Sequence, residues 1–322
     1  MIATVAKRTG LKTLTHLMLV FSTIGAFAAD YPNRPVTLVV GYSAGGGVDT
    51  IARIVAEKLP QRIGQPVVVE NRPGVASIVG ATYVAKAKPD GHILLMGASG
   101  PIVFNHALDA KLPYGPQDLT PISVVGVAPL MLLVNTNSPF KSLQDLVNYS
   151  KQNPGKSNYS ASSSSFQLIT ELFNRKTGAR FTHIPYKGAN DSVTAVMAGD
   201  VTMTLADTGP ATVGLKSGRV RPLAVTSAER LKDFPDVPTL TELGVDLKAS
   251  LWIGLLAPAG TPNEVVKQLA NEIAQIVNMP DVKNRIQAMS MIPTSNTPEE
   301  FQKSVTSDIA MWRKVAEENN IK

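Results

Sequence analysis

Gly41-Tyr42-Ser43-Ala44-Gly45 has the G-x-S-x-G spacing of a nucleophile elbow, in which a strained strand-to-helix turn lifts a serine hydroxyl toward an acyl carbon. Gly46 and Gly47 follow directly and offer a second chemistry at the same place. Consecutive glycines leave backbone N–H groups unobstructed. Where a helix starts just beyond them, those amides and the helix dipole together receive an anion. Asp49 reads as the N-cap of that helix, accepting from the N–H of Arg53 or of the residue before it. The two chemistries make different demands. An elbow serine needs a base and an oxyanion donor, whereas an anion loop needs only bare amides.

Three features weigh against the elbow. Only one strand-like run lies between the N-terminal segment and Ser43, while an elbow has several strands upstream, and a loop among them supplies an oxyanion N–H. The elbow helix should begin immediately after the serine, yet Gly45-Gly46-Gly47 keeps the chain irregular as far as Asp49. Beyond the N-terminal segment the histidines are His92, His106 and His183, and none stands in a context that marks it as a base. A secreted serine esterase using Ser43 is therefore the alternative, and an anion loop the leading reading.

Other chemistries fall away quickly. No lysine follows the glycines at P-loop spacing, and the dinucleotide G-x-G-x-x-G pattern is not met, so no nucleotide cofactor is expected. No His/Asp/Glu cluster has metal-ligand spacing, so no metal is expected. The chain has no cysteine, which removes thiol nucleophiles, thiolate metal sites, disulfides and a lipid-modified N-terminal Cys together.

The elements that must position these residues alternate along the chain. Val36–Val40 is β-branched and almost wholly apolar, as suits a strand buried on both faces of a parallel sheet. A helix from Asp49 to Leu59 carries Ile51, Ile54, Val55 and Leu59 on one face. Strand 67–69, helix 76–86, strand 93–96 and a strand across Pro129–Val134 continue the pattern. A second series follows: helix 142–151, strand 157–161, helix 166–176, strand 181–184, helix 191–198, and strands 201–206 and 221–225. Strand 251–256 reads as a return crossing, and helices 262–277 and 298–318 close the chain. Strands separated by helical patterns imply an α/β fold with mainly parallel sheets.

The first residues decide the compartment. Lys7, Arg8 and Lys12 precede an apolar run from Leu14 to Phe27, and Ala26-Phe27-Ala28 supplies small residues at a signal-peptidase site. The run of about 14 residues is short of the roughly 20 that span a bilayer. A signal peptide over 1–28, cleaved after Ala28, predicts export. The formal charge of +6 includes three residues of that segment, and the remainder holds 28 basic against 25 acidic residues. No concentrated Lys/Arg face marks a nucleic-acid partner.

Short motifs in register along the whole exported part then identify a family. Tyr31-Pro32-Asn33-Arg34-Pro35-Val36-Thr37-Leu38-Val39-Val40 is followed by Gly45-Gly46, Asp49 and Ala52-Arg53. Val69-Glu70-Asn71-Arg72-Pro73-Gly74, Lys88-Pro89-Asp90-Gly91, Ile184-Pro185-Tyr186-Lys187-Gly188 and Pro235-Asp236-Val237-Pro238-Thr239 come in the same order. Together they resemble the tripartite tricarboxylate transporter receptors, or Bug proteins. The resemblance implies a two-lobed periplasmic binding protein with two crossings at the hinge. Its first lobe would comprise 31–131 plus 250–322 and its second 132–249.

It also implies capture of a small carboxylate between the lobes by hinge closure and its delivery to membrane subunits of a tripartite transporter; a monomer without catalytic activity is expected. A solute sensor acting in signalling would use the same cleft. The implied contacts are Tyr42, Ser43, Ala44, Gly45, Gly46, Gly47 and Asp49 from the first lobe, with Ser99 at another strand end. The second lobe would add Ser162, Ser163 and Ser164, together with Asp207 and Thr208. All these loops fall beyond strand C-termini, where open α/β sheets bind ligands.

Two departures touch this pocket. Gly41, Ser43 and Ala44 stand where the family carries prolines beside its aromatic. The serine loop is shorter than the family's, lacks its glycine, and has Gln167 in place of a histidine. Trp252, in the return strand, and Trp312, on the last helix, read as core residues. Lys187 reads equally well as a solvated turn residue or a pocket residue.

Overall fold

The computed structural model describes residues 31–74, 77–108 and 111–321. The signal peptide expected over 1–28, with its cleavage after Ala28, lies outside the described residues. Among the described residues, no helix is long and apolar enough to cross a membrane.

The chain folds as two α/β lobes, as expected, but their strands join in one mixed sheet rather than mainly parallel ones, because the strands that cross between the lobes pair antiparallel with their neighbours. In the first lobe β1 (Val36–Val40) leads to α1 (Gly47–Lys58), α2 (Pro60–Ile63), β2 (Val67–Asn71), α3 (Ile78–Ala85) and β3 (Ile93–Ala98). β1 lies parallel between β2 and β3, with Thr37 beside both Val68 and Ile93. Its alternation supplies two cores. Val36, Leu38 and Val40 join α1 residues on one face, and Val39 joins a second cluster on the other. A π-helical turn at Gly100–Phe104 and α4 (Asn105–Ala107) follow β3.

β4 (Leu119–Asn135) is much longer than the 129–134 strand the sequence suggested. Pro121, Gly126 and Pro129 read as breaks, because proline cannot donate to a ladder and glycine weakens one. The structure absorbs two of them where the register shifts, between Pro121 and Ser123 and between Val124 and Gly126.

The second lobe contains α5 (Leu143–Gln152), β5 (Asn158–Ala161), α6 (Ser164–Thr177), β6 (Thr182–Pro185), α7 (Ala189–Ala198), β7 (Met203–Asp207), α8 (Thr208–Lys216) and β8 (Val220–Val225). α8 was missed because Gly209, Pro210 and Gly214 are poor helix formers. β9 (Ser250–Pro258) returns to the first lobe. α9 (Asn263–Asn278), α10 (Pro280–Ala288), β10 (Ile292–Pro293) and α11 (Pro298–Glu318) complete the chain. α10 and β10 were also unforeseen.

The sheet runs β2-β1-β3-β9-β4-β7-β5-β6, with β8 and β10 pairing β4 off this path. β4 joins the lobes. It pairs β9 antiparallel from Leu119 to Pro129, then β7 antiparallel from Leu130 to Val134. One apolar cluster continues through the junction, from Val39, Leu95, Phe104 and Trp312 to Leu132, Tyr159 and Phe173. α11 packs against α6 as well as its own lobe, and Arg175 of α6 pairs with Glu318.

Candidate ligand cleft

The pairing directions bring four strand ends to one level. β3 is antiparallel to β9, and β9 to β4, so β3 and its parallel neighbour β1 run with β4 toward the junction. β7 is antiparallel to β4, so β7 and the parallel β5 run toward the junction from the other side. Ala98 pairs Ile253, which pairs Gly126, while Asp207 pairs Leu130. The loops after β1, β3, β5 and β7 therefore converge from both lobes near residues 126–130 of β4. Beyond such strand ends ligands of α/β proteins bind.

In the first of these loops the helix starts earlier than expected. α1 begins at Gly47 with Gly46 as N-cap, so Asp49 is the third helical residue and not the cap. Its buried carboxylate reaches back instead. Oδ2 accepts from Gly45 N–H at 2.8 Å and from Arg53 Nε at 2.9 Å, and Oδ1 accepts from Asn71 Nδ2 at 2.9 Å. The same Asn71 amide donates to the Tyr42 carbonyl at 3.0 Å. These donors, Arg53 above all, lower the Asp49 carboxyl to a pKa of about 2.

Two expectations are thereby corrected. The partner at Arg53 is its guanidinium and not its backbone N–H. The Gly45 amide, expected to face an anion, is occupied by Asp49. The left-handed backbone also sits at Gly45 (φ +84°), whereas Gly46 is extended at φ −76°. Ala44 and Gly45 turn the chain, and the N–H groups of Gly47 and Val48 are left with no protein acceptor among the described residues.

The rest of the first-lobe rim is tightly packed. A Cβ at Gly41 would lie 1.9 Å from Ser77 Oγ, and one at Gly80 would lie 2.6 Å from Gly41 Cα. Gly41 thus serves close helix-to-loop packing. Tyr42 is half-buried. Burial raises its phenol, a hydrogen bond to Ser77 partly offsets this, and the hydroxyl lies beside Gly100. Ser43 and Ala44 are exposed, and Ser43 Oγ has no hydrogen bond to a histidine among the described residues. Ser99 is buried, and its hydroxyl accepts from Trp252 N–H at 3.4 Å, so it has a partner inside the lobe.

In the second lobe Ser163 is the N-cap of α6 and Ser164 its first residue, so the helix again starts two residues sooner than expected. The Ser163 side chain makes no capping bond, and no protein partner holds the hydroxyls of Ser162, Ser163 or Ser164 among the described residues. Asp207 ends β7 in the N-cap position of α8, also without a side-chain bond. Burial alone pushes its carboxyl up to about 6.

Thr208 touches the opposite lobe. Its hydroxyl donates to the carbonyl of Ser290, which follows α10 and has left-handed backbone. The preceding Met289 is in turn the neighbour of Gly47, since a Cβ there would lie 3.9 Å from Met289 Cε. Gly47 and Thr208 are thus linked through Met289 and Ser290, neither of which the sequence marked. A cavity of about 740 Å³ opens beside this contact, with Thr208, Arg230, Lys283 and Ser290 among its walls. The pairing of Val282 and Ile286 at helical spacing, just after Pro280, was the available signal for α10.

Trp252 and Trp312 are buried as expected, Trp252 edge-on to Phe301 with ring centroids 4.8 Å apart. Among the described residues, no group of side chains could hold a metal ion.

The family described as the tripartite tricarboxylate transporter family receptor matches residues 51–321. BugT of Bordetella pertussis is 34% identical over 300 residues, covering 92% of each chain. The solved structure of Rpa4515 from R. palustris with adipate has a TM-score of 0.75 at 34% identity, over 89% of this chain and 98% of that one. MatC from Rhodopseudomonas palustris with bound malate gives a TM-score of 0.71 at 29% identity, over 88% of this chain and 99% of that one.

Proposed function

This chain belongs to the tripartite tricarboxylate transporter receptor family of solute-binding proteins, and from that membership we propose that it is an exported periplasmic receptor for a small carboxylate. It takes the carboxylate between its lobes, closes about the hinge, and passes it to the membrane subunits of a tripartite transporter. It acts as a monomer and without catalysis. The lobes are 31–131 plus 250–322, and 132–249. The change of partners along β4 favours placing the first boundary at Pro129 to Leu130.

The observation that carries this reading is the set of free donors where strand ends of both lobes converge. Among the described residues, the amides of Gly47 and Val48 and the hydroxyls of Ser162, Ser163 and Ser164 all lack protein acceptors. A carboxylate is the group such donors hold best, through charge-assisted hydrogen bonds that strengthen once closure excludes water. Relatives solved with adipate and malate support the same ligand class. Tyr42 supplies an apolar wall, Gly46 stands beside the free amides, and the Thr208 contact with Ser290 acts as a latch between lobes. Ser99 and Gly45 support these contacts from behind.

The test is a thermal-shift screen of small mono- and dicarboxylates, followed by calorimetry on the best of them. Saturable binding with a raised melting temperature is expected. A protein that no carboxylate stabilises, and that takes up none in calorimetry, is not this receptor.

A further inference from the structure

The two aspartates assigned to the cleft are in opposite situations. Asp49 is held by Gly45, Arg53 and Asn71. The Asp207 carboxylate has no hydrogen bond or ion pair among the described residues, although it stands where four loops converge.

The local sequence explains why Asp207 is left unpaired. An N-cap carboxylate accepts from the N–H of the second or third helical residue. In α8 the third residue is Pro210, which has no N–H, and the second is Gly209. No cation pairs with it among the described residues: of the cavity walls beside Thr208, Arg230 is engaged by Glu242, and Lys283 makes no ion pair with Asp207. The loops at 42–47, 99–100, 162–165 and 207–209 contain no lysine or arginine. Arg53 is engaged by Asp49 and Asn71, and Lys187, in the loop after β6, is exposed. Burial raises the Asp207 carboxyl to about 6, so at neutral pH most of the empty protein carries an unpaired charge there.

A plain carboxylate closing into such a cleft brings a second negative charge toward the first as water leaves. A ligand that also carries a hydroxyl or ammonium group turns this liability into a charge-assisted hydrogen bond. We propose that Asp207 is a specificity-determining residue, which makes the cleft select carboxylates bearing an additional hydroxyl or amino donor over unsubstituted carboxylates of the same length. The proposal rests on the carboxylate-receptor reading above.

Calorimetry on matched sets tests it: propanoate with lactate and alanine, succinate with malate and aspartate, and glutarate with 2-hydroxyglutarate and glutamate. In the set that fits the cleft, a donor-bearing member should bind at least about tenfold more tightly than the plain acid. Asp207→Asn should shrink that ratio below about threefold, chiefly because the plain acid gains. The melting temperature of the empty variant should hold or rise, since an unpaired charge has been removed. Equal affinities within every set in the wild type overturn the proposal, as does an Asp207→Asn protein that weakens every member alike. In both cases carboxylate binding itself survives, so the receptor reading stands. If no member of any set binds, the receptor reading falls and this proposal falls with it.

Discussion

Thr226 and Leu130 grip each other twice: Leu130 N–H donates to Thr226 Oγ1 at 2.8 Å, and Thr226 N–H donates to the Leu130 carbonyl at 2.9 Å. The Thr226 hydroxyl donates onward to the Ala249 carbonyl at 2.6 Å. One buried hydroxyl therefore ties the outgoing crossing to the returning one. Thr226→Val keeps the shape but strands the Leu130 N–H and the Ala249 carbonyl. It should cost about 2 kcal/mol of stability, and Thr226→Ser should recover most of it. Urea denaturation measures both, and a Val variant with the wild-type midpoint would contradict the role assigned to the hydroxyl.

Gly46→Val separates binding from folding. A Cβ at Gly46 meets only the Ser43 carbonyl, at 3.6 Å, and the backbone there is extended. Stability should change by less than about 1 kcal/mol, while a branched side chain beside the Gly47 and Val48 amides obstructs the carboxylate and costs several kcal/mol of binding. Gly45→Ala should behave in the reverse sense, destabilising by about 1 kcal/mol through its positive φ. Calorimetry and melting curves on the two variants decide the matter.

The double variant Ser163→Ala, Ser164→Ala should weaken carboxylate affinity by about tenfold, the scale of one or two hydrogen bonds. No capping bond is lost at Ser163, so the empty protein should melt within a degree or two of wild type. Undiminished affinity would reduce the serine run to a connector.

Ser43 should be chemically inert. The purified protein should elute as a monomer and leave p-nitrophenyl acetate unhydrolysed, and Ser43→Ala should cost about 1 kcal/mol of carboxylate binding or less. Ester turnover that vanishes in the Ala variant would restore the esterase reading.

The pH profile of stability has a definite sign. Asp207 and Asp308 are raised by burial to about 6 from an ordinary 3.8. The folded protein then holds more protons than the unfolded one between these values, so this stabilisation is complete below 3.8 and lost as pH rises through 6. Asp49, lowered to about 2, acts oppositely: its contribution is present above 3.8 and lost as pH falls toward 2. Asp207→Asn with Asp308→Asn should flatten the decline between pH 4.5 and 7 by about 1 kcal/mol per site, allowing for solvent screening. An unchanged decline in the double variant would show that other groups govern it.

What the sequence disclosed and what it hid divide along a physical line. β1 was legible because five consecutive apolar or β-branched residues fill both faces of a buried strand, and α11 because its apolar residues recur at helical spacing, although the reciprocal cap of Thr297 and Glu300 was not read. The first half of β4 was hidden, since Pro121 and Gly126 are accommodated by register shifts against β9, a strand more than a hundred residues away. The glycine loop was legible as a turn before a helix N-terminus, but not which of its amides Asp49 would occupy. That depends on Asn71 and Arg53 folding back onto one carboxylate. Thr226 carried no local signal at all, because its task exists only once Leu130 and Ala249 lie on either side of it. Ser290 was hidden for the same reason.

Each lobe has one apolar cluster of its own, but the cluster that runs from Val39 and Leu95 past Phe104 and Trp312 to Tyr159 and Phe173 is shared by both. Unravelling one lobe would strip the cover from the other, so heat should melt the chain in a single calorimetric transition despite its bipartite outline. Protection against hydrogen exchange should follow the same rule. The amides of β1 and β5, in different lobes, should open with similar free energies, and ligand held at the rim should slow both together. Receptor capture would then be legible at sites far from the captured molecule, as a rise in the cooperativity of the whole chain.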